Sequence, residues 1–416
     1  MFISKQNIIK MTHPSDDQSQ PNGCLTHQDI GRDLKLFFSD PVSPGSPFFL
    51  PHGTHIYNKL IEMLRNEYNK LGYQEVSTPV ICNDILWETS GHSDKYYDNM
   101  FHIESKDDTT LIMSPMNCPK HCIIFRQMDP SYRELPIRLA EFGILHRNEL
   151  TGSLTGLTRV RKFIQDDAHI FCTLEQVDNE IKDIIHFIVK IYGLFNFEFS
   201  VELSTRPEKY IGDIETWNKA ENILKSQIKL FNDWKINEGD GAFYGPKIDI
   251  SIKDSLNRYH QCGTIQLDFN LPERFDLKYY TADQTNKTER PIIIHRAILG
   301  SIERFIAILL EHTKGNLPFW LSPRQVAIIP VVNEYLPYAN EVKKSIGLQY
   351  KVYIDESRNT LNKKIRSAQK MKFNYIIVVG ETEIDHKAVN VRSKNENLGE
   401  YTVDDLKELF NQLLLD

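Results

Sequence analysis

The chain has 416 residues, 41% hydrophobic and 25% charged, with a formal net charge of -7. That length fits two or three globular domains at roughly 150 residues each, no apolar run approaches the roughly 18 residues a membrane span needs, and the acidic balance argues against a surface coated in basic charge. Six dispersed cysteines with no C-x-x-C pair exclude a disulfide framework.

In chain order, residues 1–32 are expected to form a flexible extension. Ser15 to Asn22 is polar and aperiodic, and before it Phe2, Ile3, Ile8 and Ile9 alternate with Lys5 and Lys10, a pattern shared by organelle transit peptides and frayed termini. A proline-rich loop over Pro41–Pro51 leads to a helix over Thr54–Leu71, where Ile56, Leu60, Ile61, Leu64 and Tyr68 recur at helical spacing. Strands are predicted at Tyr73–Ile81, Phe142–Arg147 and Arg159–Phe171, the last two antiparallel across a short loop. A helix over Leu174–Tyr192 follows, then strands near Phe197–Leu203, Lys247–Ile252, Tyr259–Gln266 and Lys278–Tyr280, and a buried helix over Gly300–Glu311. An antiparallel sheet with flanking helices fits residues 33–321, an α+β architecture. Past Leu321-Ser322-Pro323 the order becomes β-α-β-α-β, so residues 322–416 are predicted to form a small α/β domain.

Three features could carry chemistry. His146-Arg147-Asn148-Glu149 ends one strand and Arg159-Val160-Arg161 opens the next. Arginines facing each other across a hairpin can hold a triphosphate, with Glu149 accepting from a base amine and Phe163 stacking on the base. The same residues also describe a salt-bridged surface hairpin. Cys118, His121, Cys122, His169 and His295 are ligand types that suit zinc, but no pair has zinc-finger spacing, and buried structural residues explain each of them as well. Gly239 to Lys247 lacks the ending of a phosphate-binding P-loop and reads as a turn bringing Tyr244 and Lys247 to a pocket.

Several longer stretches carry a resemblance. Met116-Asn117-Cys118-Pro119, Leu145 to Glu149, Gln165 to Cys172, Ser204 to Glu208, Gly241 to Lys247, Gln266 to Phe269 and Ile294 to Ser301 together resemble threonyl-tRNA synthetase, over roughly Asp33 to the C-terminus. Residues 40–51 look most like the fungal mitochondrial form. The resemblance implies a class II synthetase fold for 33–321, an anticodon-binding domain for 322–416, and a homodimer interface near Pro79. It implies ATP binding by Arg147, Glu149, Arg159, Phe163, Lys247, Gln261 and Arg304, with Arg147 and Arg304 catalytic and Mg²⁺ accompanying the ATP. Zinc would be held by Cys118, His169 and His295, leaving positions for the amino group and hydroxyl of threonine. Met116, Gln165, Asp167, Tyr244, Gln266 and Ser301 would complete the threonine pocket, and Asn359, Glu383 and Arg392 would read the anticodon of threonine tRNA.

The expected reaction forms threonyl-adenylate from threonine and ATP, then transfers the threonyl group to the tRNA 3′ end. Mitochondrial placement and no cis editing of seryl-tRNA are further expectations, and Lys120 stands where this family usually has glycine. A synthetase-like regulator, or a prolyl or seryl enzyme of the same class, would be told apart by amino-acid-dependent ATP–pyrophosphate exchange.

Overall fold

The computed structural model describes residues 25–416 except 108, 232, 255–257, 283–286, 394–395 and 416. Residues 2–10, with the amphipathic pattern, lie outside the described residues. Within the described part of the expected flexible extension, Thr26 caps a helix, α1 (His27–Asp33), through a capping box with Asp29. His27 is buried and its Nδ1 lies 2.7 Å from Glu311. That contact, invisible to local periodicity, corrects the expectation of an unstructured segment up to residue 32.

The helix expected from residue 54 begins at Pro51, which supplies the first helical position of α2 (Pro51–Lys70). Its apolar stripe, Ile56, Leu60, Ile61, Leu64 and Tyr68, is buried. It packs with α4 (Val177–Leu194), preceded by α3 (Cys118–Met128), in one core cluster against one face of the main sheet.

That sheet has eight strands among the described residues: β1 (Gln74–Glu75), β2 (Ile137–His146), β3 (Lys162–Cys172), β4 (Phe199–Ser204), β5 (Lys235–Asn237), β6 (Lys247–Lys253), β7 (Tyr259–Asp268) and β8 (Ile292–Ser301), in spatial order β5-β4-β6-β7-β8-β3-β2-β1. The six central strands run antiparallel, and only the two short outer strands, β5 and β1, pair parallel. The strand expected over Tyr73–Ile81 is split. Gln74–Glu75 joins the main sheet and Ile81–Asn83 joins a separate small sheet. Thr78 gives its amide to the Glu141 carboxylate instead of a neighbouring strand, and Pro79 has no amide to give.

Side-chain alternation divides the sheet cleanly. Ala168 and Ile170 of β3, Ile294 of β8, Ile265 and Leu267 of β7, and Ile248 and Ile250 of β6 enter the large core under α2 and α4. The alternate residues face the other way and line the site described below. β8 is broken by a bulge between Ala297 and Ser301. There Gly300 adopts φ +72, and a Cβ on it would sit 2.6 Å from the Cys262 carbonyl oxygen. The buried Asp166 carboxylate accepts the amides of Ile298 and Leu299 at 2.8 and 3.0 Å. Arg296, fully buried, lies 3.9 Å from Asp166 and over the rings of both Tyr68 and Tyr73. The Tyr192 hydroxyl donates to the Ile298 carbonyl at 2.7 Å. Tyr192→Phe is expected to cost about 1–2 kcal/mol by leaving that carbonyl buried without its donor. The urea midpoint reads this directly, and an unchanged midpoint would show that the bond contributes nothing.

After α5 (Ile214–Gln227) and the bulge, α6 (Ile302–Thr313) starts at Ser301, whose hydroxyl accepts the Arg304 amide. The predicted helix start at Gly300 is therefore displaced by two residues. The C-terminal part forms a five-stranded sheet among the described residues, β9 (Val326–Pro330), β10 (Val352–Ile354), β11 (Tyr375–Val379), β12 (Ala388–Ser393) and β13 (Glu396–Thr402), in order β10-β9-β11-β12-β13. Its helices include α7 (Leu336–Ile346), α8 (Leu361–Lys370), α9 (Glu381–His386) and α10 (Val403–Leu415).

Candidate active site

The face of the main sheet away from α2 and α4 carries residues spaced by two. On β3 these are Phe163, Gln165, Asp167 and His169. Register places His169 opposite His295 on β8, His295 opposite Gln266 on β7, and Gln266 opposite Lys247 on β6. One end of this stripe is rich in imidazole, thiol and carboxylate, and the other in arginine.

At the first end Cys118, His169 and His295 are all buried, and their ligand atoms lie within 4.8 Å of one another. Their neighbours set the imidazole tautomers. His169 Nδ1 lies 2.8 Å from His121 Nδ1, and His121 Nε2 lies 3.2 Å from Glu141, so protons donated along that line leave His169 Nε2 with a free lone pair. His295 Nε2 lies 2.9 Å from Asp268, which leaves Nδ1 free. A carboxylate behind each ligating histidine is the usual support of a metal site. Burial holds His169 well below the ordinary imidazole value, in the neutral form a metal needs, and pushes the Cys118 thiol well above its ordinary value. A divalent cation is the charge that would make that thiol a thiolate. The donor set, two neutral imidazoles and one sulfur, fits Zn²⁺ with a coordination position to spare.

Around this cluster, burial raises the Asp167 carboxyl, and Asn117 donates to it at 3.2 Å. Asn117 fits there because residue 143, opposite Gln165, is glycine: a Cβ would lie 2.3 Å from the Asn117 side chain. The buried Tyr244 ring lies 5.4 Å from that of His295, and Gln266 donates to the Gly245 carbonyl at 3.1 Å. The Met116 sulfur lies 3.0 Å from His92 Nε2, and burial pushes His92 down to about 3.

At the other end a cleft of about 450 Å³ is lined by Arg147, Glu149, Arg159, Phe163, Gln261 and Arg304, with Gln165 and Ser301 continuing towards the cysteine–histidine cluster. Arg159 is paired with Glu149 at 2.8 Å. Arg147 and Arg304 have no carboxylate partner among the described residues. Arg147 lies 5.1 Å over the Phe163 ring, and Arg304 donates to the carbonyls of Thr158 and Gln261 at 2.9 Å each. Burial and the positive charge of Arg147 and Arg159 hold Arg304 below the ordinary guanidinium value. Two unneutralised guanidiniums in a partly buried cleft call for an anion.

The sequence-predicted site residues thus converge on one sheet face, with qualifications. Lys247 is committed to Asp249 at 2.8 Å and does not line the cleft, and Gln261 also donates to Asp249. Ser301 lines the cleft while capping α6. In the C-terminal part, Asn359 is exposed and donates to Ser357 at 3.0 Å, while the Glu383 carboxylate accepts the Gly380 amide at 2.8 Å. Arg392 Nε on β12 is buried without a partner. No hydrogen bond joins these three among the described residues. Sequence reasoning missed Glu141, Asp249 and Asp268. Asp268 was readable from its two-residue offset from Gln266, whereas Glu141 meets His121 only across the fold.

The loop carrying Thr158 and Arg159 is pinned from α1. His27 Nε2 accepts the Leu157 amide at 3.0 Å, and Glu311 of α6 holds the other ring nitrogen. If the arginine cleft takes ATP, as the resemblance implies, His27→Ala is expected to raise the apparent KM for ATP roughly fivefold, the value of about one hydrogen bond, with the KM for the amino acid unchanged. A parallel rise in both constants would show that His27 supports the fold and not this loop.

Comparisons with known proteins agree with the geometry. Residues 101–313 match the tRNA synthetase class II core domain (G, H, P, S and T), and residues 325–413 match an anticodon binding domain. The chain is 53% identical over 392 residues to the cytoplasmic threonine–tRNA ligase of Saccharomyces cerevisiae, covering 93% of this chain and 53% of the relative. It is 53% identical over 391 residues to the cytoplasmic threonine–tRNA ligase 1 of Homo sapiens, covering 93% and 54%. It therefore spans about half the length of these curated relatives. A crystal structure of the RNA binding domain of threonyl-tRNA synthetase from Cryptosporidium parvum superposes with a TM-score of 0.90 at 50% identity, covering 94% of this chain and 98% of that one. The expectation of a mitochondrial protein is overturned: both curated relatives are named cytoplasmic. That expectation rested on the short loop 40–51 and on N-terminal residues outside the described part.

Proposed function

The chain belongs to the threonyl-tRNA synthetase family of class II synthetases, and from that premise we propose that it is a threonine–tRNA ligase selecting its amino acid at a zinc centre. The observation that carries this reading is the buried Cys118–His169–His295 cluster on the same sheet face as the arginine cleft. Residues 33–321 form the aminoacylating part and residues 322–416 the anticodon-binding part.

ATP enters as its Mg²⁺ complex with the phosphates towards Arg147, Arg159 and Arg304, and Glu149 and Phe163 take the adenine. Threonine lies between Asp167, Gln165, Tyr244, Gln266, Met116 and Ser301. Zn²⁺ held by Cys118, His169 and His295 would supply coordination to the amino group and hydroxyl of threonine. A carboxylate oxygen of threonine attacks the α-phosphorus, the bond to pyrophosphate breaks, and threonyl-adenylate forms. The ribose hydroxyl at the tRNA 3′ end then attacks the threonyl carbonyl and AMP leaves. Arg147 and Arg304 are placed to neutralise charge gathering on the phosphates, so the protein's contribution is positioning and electrostatics.

Selectivity follows from the polar lining. A hydrophobic pocket separates near-isosteres poorly, whereas a site that requires a hydroxyl rejects valine strongly. Asn359, Glu383 and Arg392 read anticodon bases, and a homodimer forms near Pro79, beside which Ile81 stands exposed. Threonine-dependent ATP–pyrophosphate exchange tests the reading. Exchange is expected with threonine and on the order of 10⁴-fold weaker with valine. No exchange with threonine, or equal exchange with valine, would refute it.

A further inference from the structure

A second cavity, of about 570 Å³, lies where the N-terminal part meets the C-terminal sheet, away from the synthetic site. Its lining includes Lys35, just after α1, and His52, in the first turn of α2, with Arg324, Lys351, Tyr353 and Phe373 on the C-terminal side. Arg324 is only 5% exposed, and its side chain makes one hydrogen bond, 2.7 Å to the Leu34 carbonyl. It has no carboxylate partner among the described residues. A buried guanidinium is ordinarily paired, because an isolated buried charge is costly. Burial pushes Arg324 down to about 10, and burial first, then the charges of Arg324 and Lys35, hold His52 below the ordinary imidazole value.

Lys35 and Lys351 are exposed and make no ion pair among the described residues. One acid lines the cavity, Asp355, and it already accepts the Ser357 amide at 2.9 Å. Three cations, Lys35, Arg324 and Lys351, against this one carboxylate leave the cavity with a net positive charge. Its walls are apolar: the Tyr353 and Phe373 rings lie 5.9 Å apart, inclined by 30°. The volume falls within the range of about 300–1,000 Å³ typical of small-molecule sites.

We propose that this cavity binds a small organic anion, a carboxylate or phosphate monoester head held by Arg324, Lys35 and Lys351 with a flat apolar body against Tyr353 and Phe373. Arginine's planar fork suits either head group. The inference does not depend on the reaction assigned above.

The test titrates phenyl phosphate and benzoate into the full chain by calorimetry, with phenol and inorganic phosphate as half-probes. A K35E/K351E double variant, altered only at exposed positions, serves as the comparison. At least one aromatic anion is expected to bind, more tightly than either half-probe, and to bind on the order of tenfold more weakly to the double variant. Threonine-dependent exchange should be unchanged in that variant, which assigns the lost binding to this cavity and not to the arginine cleft. The proposal is overturned if neither aromatic anion binds, if inorganic phosphate binds as well as phenyl phosphate, or if the double variant binds both equally well. Weaker tRNA binding by the variant, with no binding of either small anion, would also overturn it by placing polynucleotide phosphate there.

Discussion

If the cluster holds zinc as proposed, purified His295→Ala protein is expected to carry far less than one zinc per chain and to lose threonine-dependent exchange by more than the 10–100-fold typical of losing a residue that only supports a metal ligand. The substitution removes one of three buried donor groups and strands Asp268, which faces His295 Nε2 at 2.9 Å and is itself fully buried. Asp268 stays anchored by the Asn270 and Leu271 amides at 2.7 and 3.0 Å, so its carboxylate remains in place with no imidazole to orient. Metal analysis, exchange rate and circular dichroism should be read together, because loss of fold would mimic loss of metal. Full metal content with unaltered discrimination between threonine and valine would refute the role given to this cluster.

Arg147→Ala is expected to lower kcat for adenylate formation by about 10²–10³-fold, the effect of deleting one preorganised donor to developing charge. The Arg147 side chain donates to the Pro115 carbonyl at 3.5 Å and lies over the Phe163 face, with no carboxylate partner among the described residues, so its guanidinium is available to substrate without breaking a salt bridge. Arg147→Lys should recover only part of the loss, since an ammonium cannot reproduce the planar fork. If the KM for ATP rises while kcat holds, Arg147 contributes ground-state binding alone.

Much of this was legible in the chain itself. The two-residue spacing of Phe163, Gln165, Asp167 and His169 places them on one strand face before any coordinates are known. The helical spacing of Ile56, Leu60 and Leu64 likewise marks a buried stripe, and all three are buried. What stayed hidden was contact between distant segments. Local pattern could not choose between a zinc cluster and three ordinary buried residues, because Cys118 comes from a helix start and His169 and His295 from neighbouring strands. Nor could it show that His27 reaches Glu311, 284 residues away. The 73–81 strand failed for one distant reason and one local one: Thr78 spends its amide on the Glu141 carboxylate, 63 residues away, and Pro79 has none.

Because β3 carries both Phe163, at the arginine cleft, and His169, in the cysteine–histidine cluster, about 20 Å apart along one extended strand, the two substrates of the proposed reaction would be gauged by a single ruler. Insertion or deletion of one residue between them would turn one end of the strand over and bury half of its functional groups under α4. Side chains along this segment can therefore be exchanged in place, whereas its length is fixed by their alternation between the two faces of the sheet.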